Sequence, residues 1–110
     1  MKNNILIILT VILFHSAVMA ENLRIEARNI TLDKNKEISI FENNVIIQTS
    51  EGNKIFSDYA EYNKKNQFVI LKQNIFVEDM KGNRINAKYA DYDDKSKIFK
   101  TLGKTEIITS

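Results

Sequence analysis

Apolar and polar residues alternate two by two along most of this chain, and the alternation restarts at a fixed interval. Glu37–Glu42, Asn44–Thr49, Gln67–Leu71, Asn74–Glu78 and Thr105–Thr109 all read this way and are rich in Ile, Val, Phe and Thr. That pattern predicts β-strands with one face in a core and the other toward water. The interval is thirty residues: Asn44-Val45-Ile46-Ile47 returns as Asn74-Ile75-Phe76-Val77, and Tyr59-Ala60-Glu61-Tyr62 as Tyr89-Ala90-Asp91-Tyr92. The turns share the period. Asp33-Lys34-Asn35-Lys36 aligns with Asn63-Lys64-Lys65-Asn66 and Asp93-Asp94-Lys95-Ser96, and Gly52-Asn53 aligns with Gly82-Asn83. A fixed period of this size marks one supersecondary unit stacked on copies of itself. After the first twenty residues no helical amphipathic window and no Pro interrupt it. The expected architecture is all-β: a single antiparallel repeat sheet.

One strand in each unit changes phase. Ile25 and Ala27 share a parity that Ile30 and Leu32 reverse. The same reversal separates Ile55 and Ser57 from Ala60 and Tyr62, and Ile85 and Ala87 from Ala90 and Tyr92. A β-bulge at Arg28-Asn29, Asp58-Tyr59 and Lys88-Tyr89 would keep one inward face while bending each strand. Three aligned bulges would curl the whole sheet along one line. The inward set then reads Ile25, Ala27, Ile30, Leu32, Ile38, Ile40, Val45, Ile47, Ile55, Ala60, Phe68, Ile70, Ile75, Val77, Ile85, Ala87, Ala90 and Ile98.

The first twenty residues stand apart. Lys2, an apolar run from Ile5 to Phe14, and Val18-Met19-Ala20 have the three regions of a secretory signal, with cleavage expected after Ala20. A retained membrane anchor is the alternative, although His15 and Ser16 end the run short of the roughly 20 apolar residues of a spanning helix. The expected organisation is a signal peptide over 1–20 and one domain over 21–110. Export to an oxidising compartment makes the absence of cysteine informative, because no disulfide supplements a small core. The charge is close to balanced, with 16 Lys and Arg against 14 Asp and Glu before Lys2 is lost. Near-neutrality argues against a nucleic-acid groove driven by phosphate neutralisation.

The one histidine, His15, lies in the expected signal, so the remaining chain has neither His nor Cys. That excludes Ser-His-Asp and Cys-His nucleophilic sets and any His- or Cys-ligated metal. The densest acidic group, Asp91, Asp93 and Asp94, falls at an expected turn beside Lys95 and Lys97, without the loop spacing of a calcium site. It reads as a solvated turn. No enzymatic activity, cofactor or metal is expected.

Two consecutive copies of one motif, Gly52-Asn53-Lys54-Ile55-Phe56-Ser57-Asp58-Tyr59-Ala60-Glu61-Tyr62 and Gly82-Asn83-Arg84-Ile85-Asn86-Ala87-Lys88-Tyr89-Ala90-Asp91-Tyr92, follow the export signal. In this the chain resembles the periplasmic lipopolysaccharide-transport proteins of the OstA/LptA type, from about Leu23 onward. The resemblance implies a β-jellyroll folded like a taco, periplasmic, with an apolar groove for lipid A acyl chains. It also implies lipopolysaccharide as ligand, and as partners an LptC-like inner-membrane protein and an LptD-like outer-membrane barrel. The chain after Ala20 is roughly half the length of a full bridging protein of that type. The family's inner-membrane member, which keeps its N-terminal helix, is the nearest alternative.

Ile38, Ile40, Val45, Ile47, Ile55, Phe68, Ile70, Ile75, Val77, Ile85 and Ile98 are the expected groove residues. Inward aliphatics are as a rule ordinary core, and a structural β-repeat without lipid remains the competing reading. What favours a groove is that a sheet with one apolar face must be covered by a helix, another sheet or itself, and no helix is at hand. Basic residues such as Arg24, Arg28, Lys54, Arg84 and Lys88 read equally well as solvated strand faces. Leu23–Ala27 and Thr105–Thr109 read as terminal strands without protecting Pro, which predicts edge pairing with a further copy or a related domain.

Overall fold

The computed structural model describes residues 16–20 and 23–110, the former by backbone alone. Among them are eight strands and no helix: β1 (Ser16–Ala20), β2 (Leu23–Ala27), β3 (Asn29–Asp33), β4 (Ile38–Thr49), β5 (Lys54–Asn63), β6 (Phe68–Glu78), β7 (Arg84–Asp93) and β8 (Ile98–Ile108). They form one antiparallel sheet in the order β1-β2-β4-β5-β6-β7-β8, with β3 continuing the line of β2 along β4. The expected leader lies outside the described residues except for Ser16–Ala20, which pairs with β2 from Ser16↔Ala27 to Ala20↔Leu23.

Segments that alternate separately in sequence prove to be single strands bent in the middle. The bend falls where two residues face one. Asn43 and Asn44 of β4 face Asp58 alone, between the pairs Glu42↔Tyr59 and Val45↔Ser57. Gln73 and Asn74 of β6 face Lys88 alone, and Gly103 and Lys104 of β8 face Lys88 from the other side. In the first unit the same point is the break between β2 and β3, where the Arg28 N–H donates to the Asn43 carbonyl over 3.0 Å. The phase changes expected at Arg28-Asn29, Asp58-Tyr59 and Lys88-Tyr89 are therefore present. The extra residue, however, sits on the partner strand. Asn43, Asn44, Gln73 and Asn74 take φ between 52° and 69°, and Gly103 takes 82°. Asn tolerates this left-handed region and Gly has no penalty there, which is why these residue types recur at the crease.

Aligned bends fold the sheet over on itself. Glu51, in the β4–β5 turn, and Tyr92, near the far end of β7, would lie more than about 25 Å apart in a flat sheet at ~3.3 Å per residue. Here the Tyr92 hydroxyl is 3.5 Å from Glu51 Oε1. The two halves of each strand thus face one another and share one core. The chain covers its apolar face with itself, as expected for a taco-like jellyroll.

The turns at the open side are built from Asx geometry. Asp79 Oδ1 accepts from the Lys81 and Asn83 backbone N–H groups, and Oδ2 accepts from the Asn83 amide at 2.9 Å. These bonds, the Asn83 side chain foremost, hold the Asp79 carboxyl below the usual range. Asp93 is lowered in the same way by the Ser96 and Lys95 N–H groups. Both groups contribute stability that is present above the ordinary carboxylate pKa and lost as pH falls through their depressed values.

Gln73 is exposed with φ 67°, whereas its equivalent thirty residues on is Gly103. Gln73→Gly should stabilise the fold by about 0.5–1 kcal/mol, the left-handed strain relieved less the entropy of a new glycine. Urea unfolding of the two proteins measures it, and no gain would mean that the crease imposes no strain at this position.

Candidate functional site

The interior is laid down in cross-strand rows. In the half near the Gly turns, Ile25 pairs with Ile47, Ile47 with Ile55, Ile55 with Val77, Val77 with Ile85 and Ile85 with Ile107. In the other half Ile30 pairs with Phe41, Phe41 with Ala60, Ala60 with Leu71, Leu71 with Ala90 and Ala90 with Thr101. Residues paired across strands share a face. Small Ala60 and Ala90 leave room between them for Phe41 and Leu71, which are 0% and 1% exposed.

Of the expected groove residues, Val45, Ile47, Ile55, Ile75 and Val77 are buried in this interior, and Ile85 packs against it. The remaining five are on the other face. Ile70 and Ile98 are exposed, and Ile38, Ile40 and Phe68 are half-buried on the outer surface. Their places inside are taken by Phe41, Val69 and Leu71, with Phe99 packed at the margin. Runs such as Phe68-Val69-Ile70-Leu71 are apolar at both parities, so alternation gives no face there. One available signal was the cross-strand partner: Ala60 is inward, and the residues opposite it must be inward too. Leu23, Tyr62, Tyr92 and the small Ala27 and Ala87 complete the buried apolar set. Leu32 has the inward parity but is 48% exposed, and among the described strands β3 pairs only with β4.

Closure is uneven from one end to the other. Three equivalent inward positions, Ile47, Val77 and Ile107, are 0%, 9% and 68% exposed. Among the described residues this row is sealed toward β2, and on β8, which pairs only with β7, the Ile107 side chain stays exposed. Along the mouth opposite the crease the two rows of turns meet through Tyr92 and Glu51. Burial first, then the charges of Glu51 and Asp94, push the Tyr92 hydroxyl up to about 12. Asp94 is itself 2% exposed, with Oδ1 held by Lys97 Nζ at 2.8 Å. No group of three metal-ligating side chains is found among the described residues, and no described helix is long and apolar enough to cross a membrane.

A closed β-repeat of this form can be compared with known proteins. A family model described as lipopolysaccharide-assembly, LptC-related matches residues 8–110. The chain belongs to this family. No curated protein matches it in sequence. Among solved structures it is similar to LptH, the LptA-homologous periplasmic component of the lipopolysaccharide transport device of Pseudomonas aeruginosa. The TM-score is 0.72 at 13% identity, over 86% of this chain and 78% of that one. At that identity the likeness establishes the shared jellyroll fold.

Two measurements test the interior of this LptC-related domain. Leu71→Asp places an unpaired charge among aliphatics and should cost at least several kcal/mol, whereas Ile70→Asp, one residue away, should cost about 1 kcal/mol or less. Equal losses on thermal unfolding would overturn the face assignment. In an absorbance titration the Tyr92 phenol should ionise near pH 12. Because its folded value is raised, the associated stability is full below the ordinary tyrosine pKa and lost as pH rises toward 12. Tyr92→Phe should remove that alkaline loss.

Proposed function

We propose that this LptC-related domain is a non-enzymatic, periplasmic link in lipopolysaccharide transport, holding lipid A acyl chains in the jellyroll interior. The observation that carries this reading is the gradient of closure from Ile47 to Ile107. Among the described residues the inward row is buried at Ile47 and exposed at Ile107, so apolar surface continuous with the interior is reachable along β8. Branched aliphatics facing each other across a folded sheet suit acyl chains, which require apolar surface and no hydrogen-bond partner. Val45, Ile47, Ile55, Ile75, Val77 and Ile85 are the wall residues under this proposal, with Ile107 at the entrance. Ile38, Ile40, Phe68, Ile70 and Ile98 are not part of the wall.

The same strand offers an assembly edge. β8 pairs only with β7 among the described strands, so one row of its backbone groups is open. A second jellyroll adding a strand there would cover Ile107 and make the two interiors continuous. Its source would be an LptD-like barrel's periplasmic domain, an LptC-like domain, or another copy of this chain. The alternative role of inner-membrane adaptor is favoured by one observation: the family match begins at residue 8, within the apolar run. Cleavage after Ala20 or retention of that run separates carrier from adaptor, and alkaline extraction of membranes reads which form is present.

Photocrosslinking amino acids at Val77 and Ile107 should capture lipopolysaccharide in cells, while those at Gln48 and Glu78, on the outer face, should not. Capture only at the outer positions would overturn the interior site. Ile107→Pro should abolish association through β8 and leave the central repeats folded. Light scattering over a concentration series, with and without candidate partner domains, checks it, and a monomer throughout removes the assembly proposal.

A further inference from the structure

The crease carries a second set of cavities, on the outer surface, and the repeat allows two of them to be compared position by position. One, of about 290 Å³, is lined by Asn44, Val45, Ile46, Phe56, Asp58 and Asn74, together with Ser57. The other, of about 510 Å³, is lined by Asn74, Ile75, Phe76, Asn86, Lys88 and Lys104, together with Ala87 and Glu106. Asn44, Phe56, Asp58 and Asn74 of the first stand thirty residues before Asn74, Asn86, Lys88 and Lys104 of the second. They are one cleft, built twice.

The chemistry across the bend differs. In the first copy the Asn74 amide donates to Asp58 Oδ2 over 2.6 Å and ties the two strands together. In the second, the equivalent pair is Lys88 and Lys104. Two ammonium groups have donors only and no means of bonding each other. Neither has an ion-pair partner among the described residues, where the pairs are Arg24–Glu26, Arg84–Glu78 and Lys97–Asp94. Glu106 lines the same cleft, with its carboxylate receiving the Asn86 amide at 3.2 Å. It leaves one net positive charge. Beneath, the half-buried Phe76 gives an apolar floor, with the Arg84 guanidinium over its ring at 4.9 Å, while Ile75 and Ala87 border the cleft and bury their side chains in the core. Where the first copy is closed by its own hydrogen bond, the second has paired donors, an apolar floor and more space.

We propose that this cleft is an anion site for a phosphate monoester carried on a molecule with an apolar part. A doubly charged phosphate presents oxygens to both ammonium groups at once, and charge-assisted bonds of this kind are the strong ones. The floor would take the adjoining apolar segment. The two lysines lie at the crease between β7 and β8, and the site does not rest on the interior holding lipid.

The repeat supplies the test variant. Lys88→Asp with Lys104→Asn installs the residues of the first copy, which this fold accommodates at equivalent positions. Lys88→Gln with Lys104→Gln removes the charges without a new bond. In a ¹⁵N NMR titration, glucose 1-phosphate should produce saturable shifts at Asn74, Asn86, Lys88 and Lys104, and glucose none. Both variants should bind at least about ten-fold more weakly, the loss of one to two charge-assisted bonds. Dihexanoyl phosphatidic acid binding tighter than glucose 1-phosphate at these same resonances assigns a lipid headgroup, and equal affinity assigns a soluble phosphate. No shift, shifts unchanged in the variants, or the same response to sulfate and chloride, which is an adventitious ion only, would overturn the site. Lipid capture at Val77 without these shifts would leave the interior proposal standing and this one refuted.

Discussion

The two-against-one pairing at the crease is the constraint on which the rest of the molecule depends. Side chains on a strand change face at every residue, so a sheet can fold over and keep one inward face only if its strands lose step together. Here Asn43-Asn44 faces Asp58, and Gln73-Asn74 faces Lys88. Because the mismatch recurs at the same height in each unit, the bends align into one line, and the two halves of every strand become opposing layers. Register and tertiary closure are thus one event. A slip at a single crease position would turn half a strand inside out, which explains why left-handed backbone is retained there in spite of its cost.

Repetition supplies a scaffold whose positions can change chemistry one at a time. The Tyr of the Ala-x-Tyr step is buried in both later units, as Tyr62 and Tyr92, and the turns before Gly52 and Gly82 keep the same backbone bonds with Thr49 in the place of Asp79. Elsewhere the copies diverge. Position 58 is an acid bonded to its neighbour, and position 88 is a lysine facing another lysine. Inward position 47 is sealed, and position 107 is open. The C-terminal unit therefore differs from the others at inward position Ile107, which is exposed, and at the crease, where Lys88 and Lys104 share a cleft.

Much of this was legible in the residues. The thirty-residue period, the all-β class, the turns and the phase change at Asp58 and Lys88 all follow from alternation and from the turn chemistry of Asp, Asn and Gly. So did the inward position of Val45, Ile47, Ile55, Ile75 and Val77, whose neighbours in sequence are polar or lie in the same short run. The misplaced residues were Ile38, Ile40, Phe68, Ile70 and Ile98. Ile40, Phe68, Ile70 and Ile98 sit beside Phe41, Val69, Leu71 and Phe99, so both parities are apolar and period-two reasoning has no contrast to work with, whereas Ile38 alternates clearly with Glu37 and Ser39 and is set outward by its pairing with Asn63. The side of the crease that holds the extra residue was also missed, because the phase of a single strand shows that step is lost and not which partner gains.

What the sequence determined by itself is local: which segments are extended, where they turn, where alternation breaks, and that the units repeat. These depend on interactions between residues a few positions apart, which a linear pattern records. The tertiary structure alone decided which face of the doubly apolar runs is buried, that Glu51 meets Tyr92 across forty-one residues, that inward Ile107 stays exposed on β8, and that Lys88 and Lys104 share one cleft. Each of these depends on pairing between strands or layers whose geometry is set by the fold of the whole sheet, and burial is a property of what lies opposite a side chain.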